Sequence, residues 1–253
     1  MNVIVIDLNA DVGERPGSAG VRADAAILAG VSSANVACGF HAGDGATMHE
    51  LCELAMLYRT RIGAHVSYLD PEGFGRRDLD VDPDTLREHV VQQIESLKIT
   101  AGAVGAAVTY VKPHGALYNR AAIDRVSADT IASATAFVDA GLKLLGPPNS
   151  ELLAAAARHG LEGVPEGFAD RAYQPDGTLV PRDETGALLN SEQALVQARL
   201  IAIDGHVIAT DGSSIPLRAR SLCIHSDTPG AAELAVALRN HLIGAGAEVR
   251  PFT

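Results

Sequence analysis

Four histidines, each directly after a short apolar run, are the residues of this 253-residue chain best suited to chemistry. They are His41, His65, His114 and His225. Imidazole acts as a general acid or base near neutral pH and as a metal ligand. Short apolar runs bounded by turn residues predict buried β-strands, so each histidine follows the end of a predicted strand. This common placement favours one shared site over four separate hydrogen-bonding residues.

Polar side chains also alternate along the first predicted strand. Asp7, Asn9 and Asp11 fall on one side of an extended chain because side chains alternate with a period of two. A calcium loop of the EF-hand type is excluded, since its sixth and twelfth positions require glycine and glutamate, where this chain has valine and serine. The alternative to a functional site at these residues is that the acids cap the turn and helix that follow.

A glycine-rich segment at residues 35–45 surrounds His41 and Asp44. Its glycines permit close backbone approach to a ligand, and amides at the start of the next helix favour an anion. The segment is not a Walker phosphate loop, because no Gly-Lys-Ser/Thr follows. For Cys38 we favour buried packing over a nucleophilic role.

Cationic side chains stand close to two of these histidines or follow other predicted strands. Lys112 and His114 share a face if the strand continues through the intervening proline. Arg76 and Arg77 lie in a long loop, and Arg171 follows a later strand. Arginine can hold a substrate carboxylate through two parallel hydrogen bonds, although paired arginines also tie down loops.

Alternating strands and helices must position these side chains. We predict strands at residues 3–8, 33–38, 62–64, 108–111, 142–145, 162–164 and 221–224. Helices are predicted at residues 23–30, 47–59, 83–102, 127–140, 150–159 and 231–243, with a hairpin around residues 206–209. This alternation predicts a parallel sheet in one domain spanning residues 1–253. We favour a closed barrel because the polar groups follow many different strands.

Composition excludes several functions. The chain has 20 Lys+Arg against 31 Asp+Glu, a formal charge of −11, so nucleic acid and anionic membranes are poor partners. Three cysteines without a Cys-x-x-Cys motif disfavour a disulfide framework and a thiolate zinc site. The longest near-apolar stretch, residues 101–111, is shorter than the roughly 18 residues of a membrane span. A cytoplasmic protein is expected.

Several motifs in one order resemble the LamB/YcsF family, known as the A component of the ATP-dependent 5-oxoprolinase. They are DLNADVGE, NVACGFHAGD, GAH, GFGRR, VKPHGALYN, FADRAY with DGTLVPR, and CIHSDTPGA, from Asp7 to about Gly230. The resemblance implies an irregular seven-stranded β/α barrel of the glycoside hydrolase/deacetylase type. Val66, Leu69 and Ser226 replace the family's usual proline, proline and glycine, which changes loop stiffness.

The resemblance also implies an activity and partners. The implied reaction opens 5-oxo-L-proline to L-glutamate with hydrolysis of ATP to ADP and phosphate, in a complex with two further subunits, the B and C components. We assign proton transfer or water activation to Asp11 with His41, His65 or His114. Lys112 would stabilise charge on oxygen, completing the catalytic set. The expected substrate-binding residues are Asn9, Glu14, Asp44, Arg76, Arg77, Tyr118, Asn119, Glu166, Asp170, Arg171, His225 and Asp227.

Charge gives these assignments a further expectation. Four of the histidines and seven carboxylates should meet at the mouth of the barrel, the carboxylates being Asp7, Asp11, Glu14, Asp44, Glu166, Asp170 and Asp227. These carboxylates would repel an anionic substrate, so we expect Lys112 and the three arginines to provide the attraction that binds it.

Two alternatives remain open from the sequence. One is a metal-dependent amide hydrolase or deacetylase acting on a small or carbohydrate substrate, with Asp11, His41, His65 and His114 holding zinc or a similar ion. The other is a non-catalytic protein that binds a small acid and presents it to partners. Magnesium would accompany ATP in the first interpretation, and a homo-oligomer is compatible with all three.

Overall fold

The computed structural model describes residues 3–182, 184–226 and 230–253, and its strands form a closed barrel. The strands are β1 (Ile4–Val12), β2 (Ser33–Ala37), β3 (Arg61–Val66), β4 (Val108–Pro113), β5 (Lys143–Gly146), β6 (Glu162–Phe168), β7 (His206–Ile208), β8 (Ser214–Pro216), β9 (Ser221–Ile224) and β10 (Ala247–Val249). Strands β1 to β6 pair in order, β6 pairs with β9, and β9 pairs with β1, all in parallel. The predicted seven-stranded β/α barrel is confirmed.

The first strand explains why the barrel is irregular. Its start, Ile4 to Ile6, pairs with β10 outside the barrel, whereas Asp7 to Ala10 pair with β9 and Asn9 to Val12 pair with β2. Strands β7 and β8 form a separate antiparallel hairpin, as predicted from the turn residues around it. Because β1 touches three strands in succession, its later residues lie where the barrel closes.

Helices surround the barrel, and an additional π-helical turn, Leu200–Asp204, follows the seventh of them. They are α1 (Gly17–Leu28), α2 (Gly45–Tyr58), α3 (Pro83–Ala103), α4 (Gly115–Ile123), α5 (Arg125–Val138), α6 (Glu151–Arg158), α7 (Ser191–Arg199) and α8 (Ala231–Gly244). The start of α3 shows how local sequence sets where a helix begins. Asp82 accepts a hydrogen bond from Thr85 N at 3.0 Å, and Pro83 occupies the first turn. Buried residues at helical spacing then face the core.

Several predicted boundaries are wrong in ways that matter for the site. Strand β1 continues to Val12, beyond its predicted end at residue 8, so Asn9 and Asp11 lie on the strand as their alternation predicted. The predicted helix at residues 127–140 is preceded by α4, which ends before Asp124, whose carboxylate caps α5 through Ser127 N at 2.8 Å. Helix α7 and strand β10 were not predicted.

The three cysteines are buried and unpaired. No helix in the described ranges is both long enough and apolar enough to cross a membrane.

Asp7, the first of the acids expected at the mouth, is fully buried on β1, two residues before Asn9. It pairs in register with Ser221, the first residue of β9. Its carboxylate accepts hydrogen bonds from the hydroxyls of Ser32 and Ser33, both at 2.7 Å, and from that of Ser221. Burial raises the pKa of Asp7 to about 6 despite these three bonds.

Replacing Asp7 with asparagine should change how stability depends on pH. A carboxyl whose pKa is higher in the folded protein than in the unfolded chain destabilises the fold as pH rises from about 4 through about 6. Across that window we expect the free energy of unfolding of Asp7→Asn to gain about 3 kcal/mol relative to the unsubstituted protein. Urea unfolding at a series of pH values measures it, and parallel pH profiles for the two proteins would contradict the expectation.

Candidate functional site

The carboxyl ends of the barrel strands bring polar side chains together inside the mouth. Residues at alternate positions of a parallel strand point into the barrel, and the carboxyl ends of all strands meet at one edge. The buried polar residues contributed by the strands at this edge are Asn9, Asp11, Asn35, His65, Lys112 and Glu166, with Cys223 on β9.

Lys112 occupies the centre of this group and is 2% exposed. Its Nζ lies 2.9 Å from Glu166 Oε1, 3.3 Å from Asp11 Oδ1, 3.2 Å from Asn9 Oδ1 and 3.1 Å from Cys223 Sγ. Burial alone would lower the pKa of Lys112, but Asp11, Cys223 and Glu166 together hold it well above the usual range. The ammonium therefore stays charged and neutralises its buried acids, an electrostatic role that sequence spacing could not specify.

Glu166 is fixed by three donors. Its Oε1 accepts hydrogen bonds from Asn9 Nδ2 at 2.8 Å and from Lys112 Nζ, and its Oε2 accepts one from the Tyr118 hydroxyl at 2.9 Å. Both oxygens are therefore engaged inside the barrel, where Glu166 is 1% exposed. Of the predicted substrate-binding residues, Asn9, Tyr118 and Glu166 form the floor of the site.

Asp11 lies between the lysine and the histidines. Its Oδ1 accepts a hydrogen bond from Asn35 Nδ2 at 2.7 Å and lies 3.3 Å from both Lys112 Nζ and His65 Nε2. Burial alone would raise the pKa of Asp11, but His65 and Lys112 bring it well below the ordinary value. Asp11 is thus an ionised carboxylate held at the top of the barrel, able to orient water and accept its proton.

Three of the four predicted histidines converge on a single oxygen of Glu14. His41 Nε2 lies 3.1 Å from Glu14 Oε1, His114 Nδ1 lies 3.2 Å from it and His65 Nε2 lies 3.7 Å from it. All four side chains are at most 7% exposed. The four residues together offer metal-ligating atoms within 4.8 Å of one another. Sequence spacing predicted the histidines but placed Asp11, not Glu14, among them.

The three rings differ in basicity. Burial, with His65 nearby, holds the pKa of His41 well below its usual value, and burial with His41 and His65 does the same to His114. Burial would also lower the pKa of His65, but Asp11 and Glu14 outweigh it and raise that pKa. His65 is therefore the ring that the two carboxylates favour as a cation.

Residues 67–77, in the loop after β3, pack against two of these rings. The Phe74 carbonyl lies 2.9 Å from His114 Nε2, and Gly75 adopts a left-handed φ of 64°. A Cβ on Gly75 would lie 2.9 Å from His114 Cδ2 and 3.0 Å from His41 Cβ. Only glycine combines this backbone conformation with so close an approach.

Asp24 is a positioning residue that the sequence did not reveal. It is fully buried on α1 and accepts hydrogen bonds from Gly13 N at 2.8 Å and from Arg15 Nη2 at 2.9 Å. Its carboxylate thereby holds Gly13 and Arg15, the two residues that flank Glu14, in position. A sequence signal existed, since an aspartate interrupts the apolar face of that helix.

The fourth histidine forms a separate pair. His225 Nδ1 lies 3.0 Å from Asp170 Oδ1, and the His225 backbone amide donates to Asp170 Oδ2 at 3.0 Å. The ring stacks on Phe168, and His225 offers a ligating atom within 4.8 Å of those of Asp11 and Cys223. An imidazole oriented by a carboxylate therefore stands beside Asp11. Asp227, the other acid predicted here, lies outside the described residues.

The predicted arginines occupy three different environments. Arg77 is paired with Asp70 through its guanidinium and so secures its own loop. Arg171 donates to the carbonyl of Val180 at 2.5 Å, which ties a long loop to the barrel. Arg76 is exposed at the rim, with its guanidinium 4.9 Å from the centre of the Phe74 ring.

Two other predicted residues are not brought into the cluster. Asn119 is exposed on α4. Asp44 is exposed at the start of α2, where its carboxylate accepts a hydrogen bond from Thr47 N at 2.8 Å. That bond lowers the pKa of Asp44. The contact is that of a helix cap.

Replacing Asp44 with alanine should therefore affect stability and not activity. Loss of a cap costs about 1 kcal/mol of unfolding free energy, within a range of about 0.5 to 2 kcal/mol. We expect that loss in urea unfolding, together with unchanged activity. A rate reduced more than about tenfold would instead show that Asp44 contacts the substrate.

The fold and site define a class, and comparison with known proteins gives the family. The class is a parallel β/α barrel with buried acid, imidazole and ammonium groups at the carboxyl ends of its strands, the usual location of active sites in such barrels. The chain matches the LamB/YcsF family over residues 6–253 and belongs to that family.

Individual relatives are similar over their full length. A Streptomyces coelicolor protein named as the A component of 5-oxoprolinase is 50% identical over 249 residues, which cover 98% of this chain and 100% of that protein. The crystal structure of a lactam utilization protein from Thermus thermophilus has a TM-score of 0.90 at 40% identity, covering 98% of this chain and 99% of that one. The catalytic domain of a peptidoglycan N-acetylglucosamine deacetylase from Eubacterium rectale shares the fold alone, with a TM-score of 0.53 at 12% identity over 100% of this chain and 90% of that one.

Proposed function

We propose that this chain is the A component of an ATP-dependent 5-oxoprolinase, which opens 5-oxo-L-proline to L-glutamate and hydrolyses ATP to ADP and phosphate. The observation that carries the proposal is the full-length similarity to relatives that bear this name. The barrel mouth supports it with acid and base groups of the kind that amide hydrolysis requires.

The chemistry explains the need for ATP. A lactam is a resonance-stabilised amide, and the five-membered ring of 5-oxoproline lacks the strain that would make hydrolysis easy. Transfer of the γ-phosphoryl group of ATP to the lactam oxygen releases ADP and activates the ring carbon. Water then adds to that carbon, the carbon–nitrogen bond breaks, the nitrogen takes a proton, and a second water releases phosphate from the resulting acyl phosphate.

We assign these steps to different residues of the mouth. Asp11 orients the attacking water and accepts its proton, because Lys112 and His65 keep its carboxylate ionised. His225, oriented by Asp170, stands beside Asp11 and delivers the proton to the departing nitrogen. Arg76 at the rim binds the substrate carboxylate.

ATP and its magnesium ion are assigned to the complex with the B and C components. The acids Asp11, Glu14, Glu166 and Asp170 line the mouth, and the Lys112 ammonium is already surrounded by acceptors. A triphosphate needs cationic or amide donors, so this lining favours a nucleotide site completed by the partners. A cytoplasmic location is proposed from the three reduced thiols.

The test measures glutamate, ADP and phosphate with this chain alone and with both partner proteins. We expect glutamate and ADP in equal amounts only when 5-oxoproline, ATP and all three components are present. Absence of glutamate from the full mixture, or equal glutamate production without ATP, would overturn the proposal.

A metal-dependent amide hydrolase or deacetylase is the second candidate function. The convergence of three histidines on Glu14 favours it, since such a set can hold an ion next to a scissile amide. Hydrolysis of an N-acetylated sugar or small amide by this chain alone, dependent on a divalent metal and independent of ATP, would support this second function over the first.

A further inference from the structure

The outer nitrogens of the three converging histidines are held by hydrogen-bond acceptors. His65 Nδ1 lies 3.1 Å from the Lys112 carbonyl, and His114 Nε2 lies 2.9 Å from the Phe74 carbonyl. A carbonyl oxygen can only accept, so each of these nitrogens carries its proton. The ring nitrogen facing inward is then bare in the neutral imidazole.

The third ring is held in the same way. His41 Nδ1 lies 3.0 Å from Ser67 Oγ, and that hydroxyl donates its own proton to the Tyr68 carbonyl at 2.9 Å. Ser67 must therefore accept from His41, which leaves His41 Nε2 bare as well. Two bare nitrogens, His41 Nε2 and His114 Nδ1, thus lie 3.1 and 3.2 Å from the same Glu14 oxygen, and the repulsion between these lone pairs calls for a cation. That cation is either a proton on His65 Nε2 or a bound metal ion.

Four of the distances between the inner atoms are close to those of a small tetrahedral site, and the stacked His41 and His114 rings, 9° from parallel, would turn for both nitrogens to bind the ion. Bonds of about 2.0 to 2.2 Å from zinc to nitrogen or oxygen imply ligand-to-ligand distances of about 3.3 Å in a tetrahedral site. From Glu14 Oε1 the distances to His41 Nε2, His114 Nδ1 and His65 Nε2 are 3.1, 3.2 and 3.7 Å. His114 Nδ1 lies 3.0 Å from His65 Nε2. These four distances bracket the tetrahedral value.

We propose that Glu14, His41, His65 and His114 bind one divalent transition-metal ion of the zinc type. Three imidazoles with one carboxylate suit zinc, cobalt or iron, whereas magnesium and calcium prefer all-oxygen sites. Carbonyl and hydroxyl groups that fix the outer nitrogens are the usual second layer of such sites. The proposal concerns metal binding only, so its test does not depend on whether the chain catalyses the lactam reaction.

The first experiment measures metal content and binding on the full chain. The protein is purified without chelator and analysed for metals, then stripped with chelator and titrated with Zn²⁺, Co²⁺ or Mg²⁺ by calorimetry. We expect about one Zn²⁺ or Co²⁺ per chain, a visible absorption band typical of tetrahedral Co²⁺, and no binding of Mg²⁺. Absence of stoichiometric Zn²⁺ binding would show that only a proton occupies the cluster and would overturn the proposal.

Substitutions locate the ion. His41→Ala, His114→Ala and Glu14→Gln should each abolish the Co²⁺ band, whereas His159→Ala, on a ring 33% exposed beside Asp129, should leave it unchanged. Because alanine at a buried histidine can also unfold the barrel, Ser67→Ala provides a milder test. It removes the partner of His41 Nδ1 and keeps all four ligands, so the Kd for Zn²⁺ should rise about 10- to 100-fold. Unchanged binding in all four cluster variants would overturn the assignment of the ion to this cluster.

Discussion

Replacing Lys112 with methionine should abolish ATP-coupled glutamate release and lower the free energy of unfolding by about 3 to 5 kcal/mol. The ammonium is the shared partner of Asp11 and Glu166, and both residues are buried. Methionine has a similar length and no charge, so the substitution leaves two buried anions without their cation rather than a cavity. Urea unfolding and the assay of the full three-component complex measure the two effects.

A surface lysine provides the matched control for this substitution. Lys98 pairs with Asp139 at 2.6 Å, but the two side chains are 33% and 42% exposed. Lys98→Met should therefore cost less than about 1 kcal/mol and leave activity unchanged. If Lys112→Met cost no more than Lys98→Met, the central role of the buried ammonium would be wrong.

A second substitution separates the stability effect of Lys112 from its effect on activity. Adding Glu166→Gln to Lys112→Met removes one of the two stranded charges while keeping the hydrogen-bonding shape of residue 166. We expect the double variant to be more stable than Lys112→Met alone, since residues in contact are not additive. Activity should stay abolished, because the mouth still lacks the Lys112 ammonium.

The barrel and its mouth could be predicted because both follow from local patterns. Apolar runs define the strands, alternation with helices defines parallel pairing, and the carboxyl ends of parallel strands meet at one edge. Three histidines from different strands and loops therefore lie together although 73 residues separate His41 from His114. Residue type and position relative to a strand end were sufficient for them.

The partners of those histidines could not be predicted in the same way. Period-two spacing placed Asp11 with the histidines, but the chain leaves the strand at Gly13, whose φ of 79° turns it, and the next residue, Glu14, meets the rings. The acceptors behind His65 and His114 are backbone carbonyls, which no residue type signals.

Other contacts that the sequence did not reveal involve side chains that serve their own local backbone. Arg171 and Asp44 have the right chemistry to bind a substrate, and the structure shows one donating to a loop carbonyl and the other capping a helix. Cys223 is the opposite case: its residue type suggested no role, but pairing between β9 and β1 places its sulfur 3.1 Å from Lys112 Nζ. Such contacts depend on how the barrel closes, which the sequence pattern does not specify.

Replacing Asp11 with asparagine should lower kcat about 10²- to 10⁴-fold with a much smaller effect on KM. The amide keeps an oxygen that can accept from Asn35 Nδ2 and Lys112 Nζ, so the barrel should retain its shape. It cannot accept a proton from water, which is the step assigned to this carboxylate. The assay of the full complex measures kcat and KM, and circular dichroism checks the fold.

Two comparisons show whether that loss comes from proton transfer at Asp11. Asp44→Asn makes the same chemical change on an exposed cap and should keep kcat within about twofold, since a capping asparagine is nearly as good as aspartate. Asp170→Asn should lower kcat through the orientation of His225 and not through Asp11 itself. A kcat for Asp11→Asn within about tenfold of the unsubstituted chain would remove Asp11 from the reaction and transfer its role to the His225 pair.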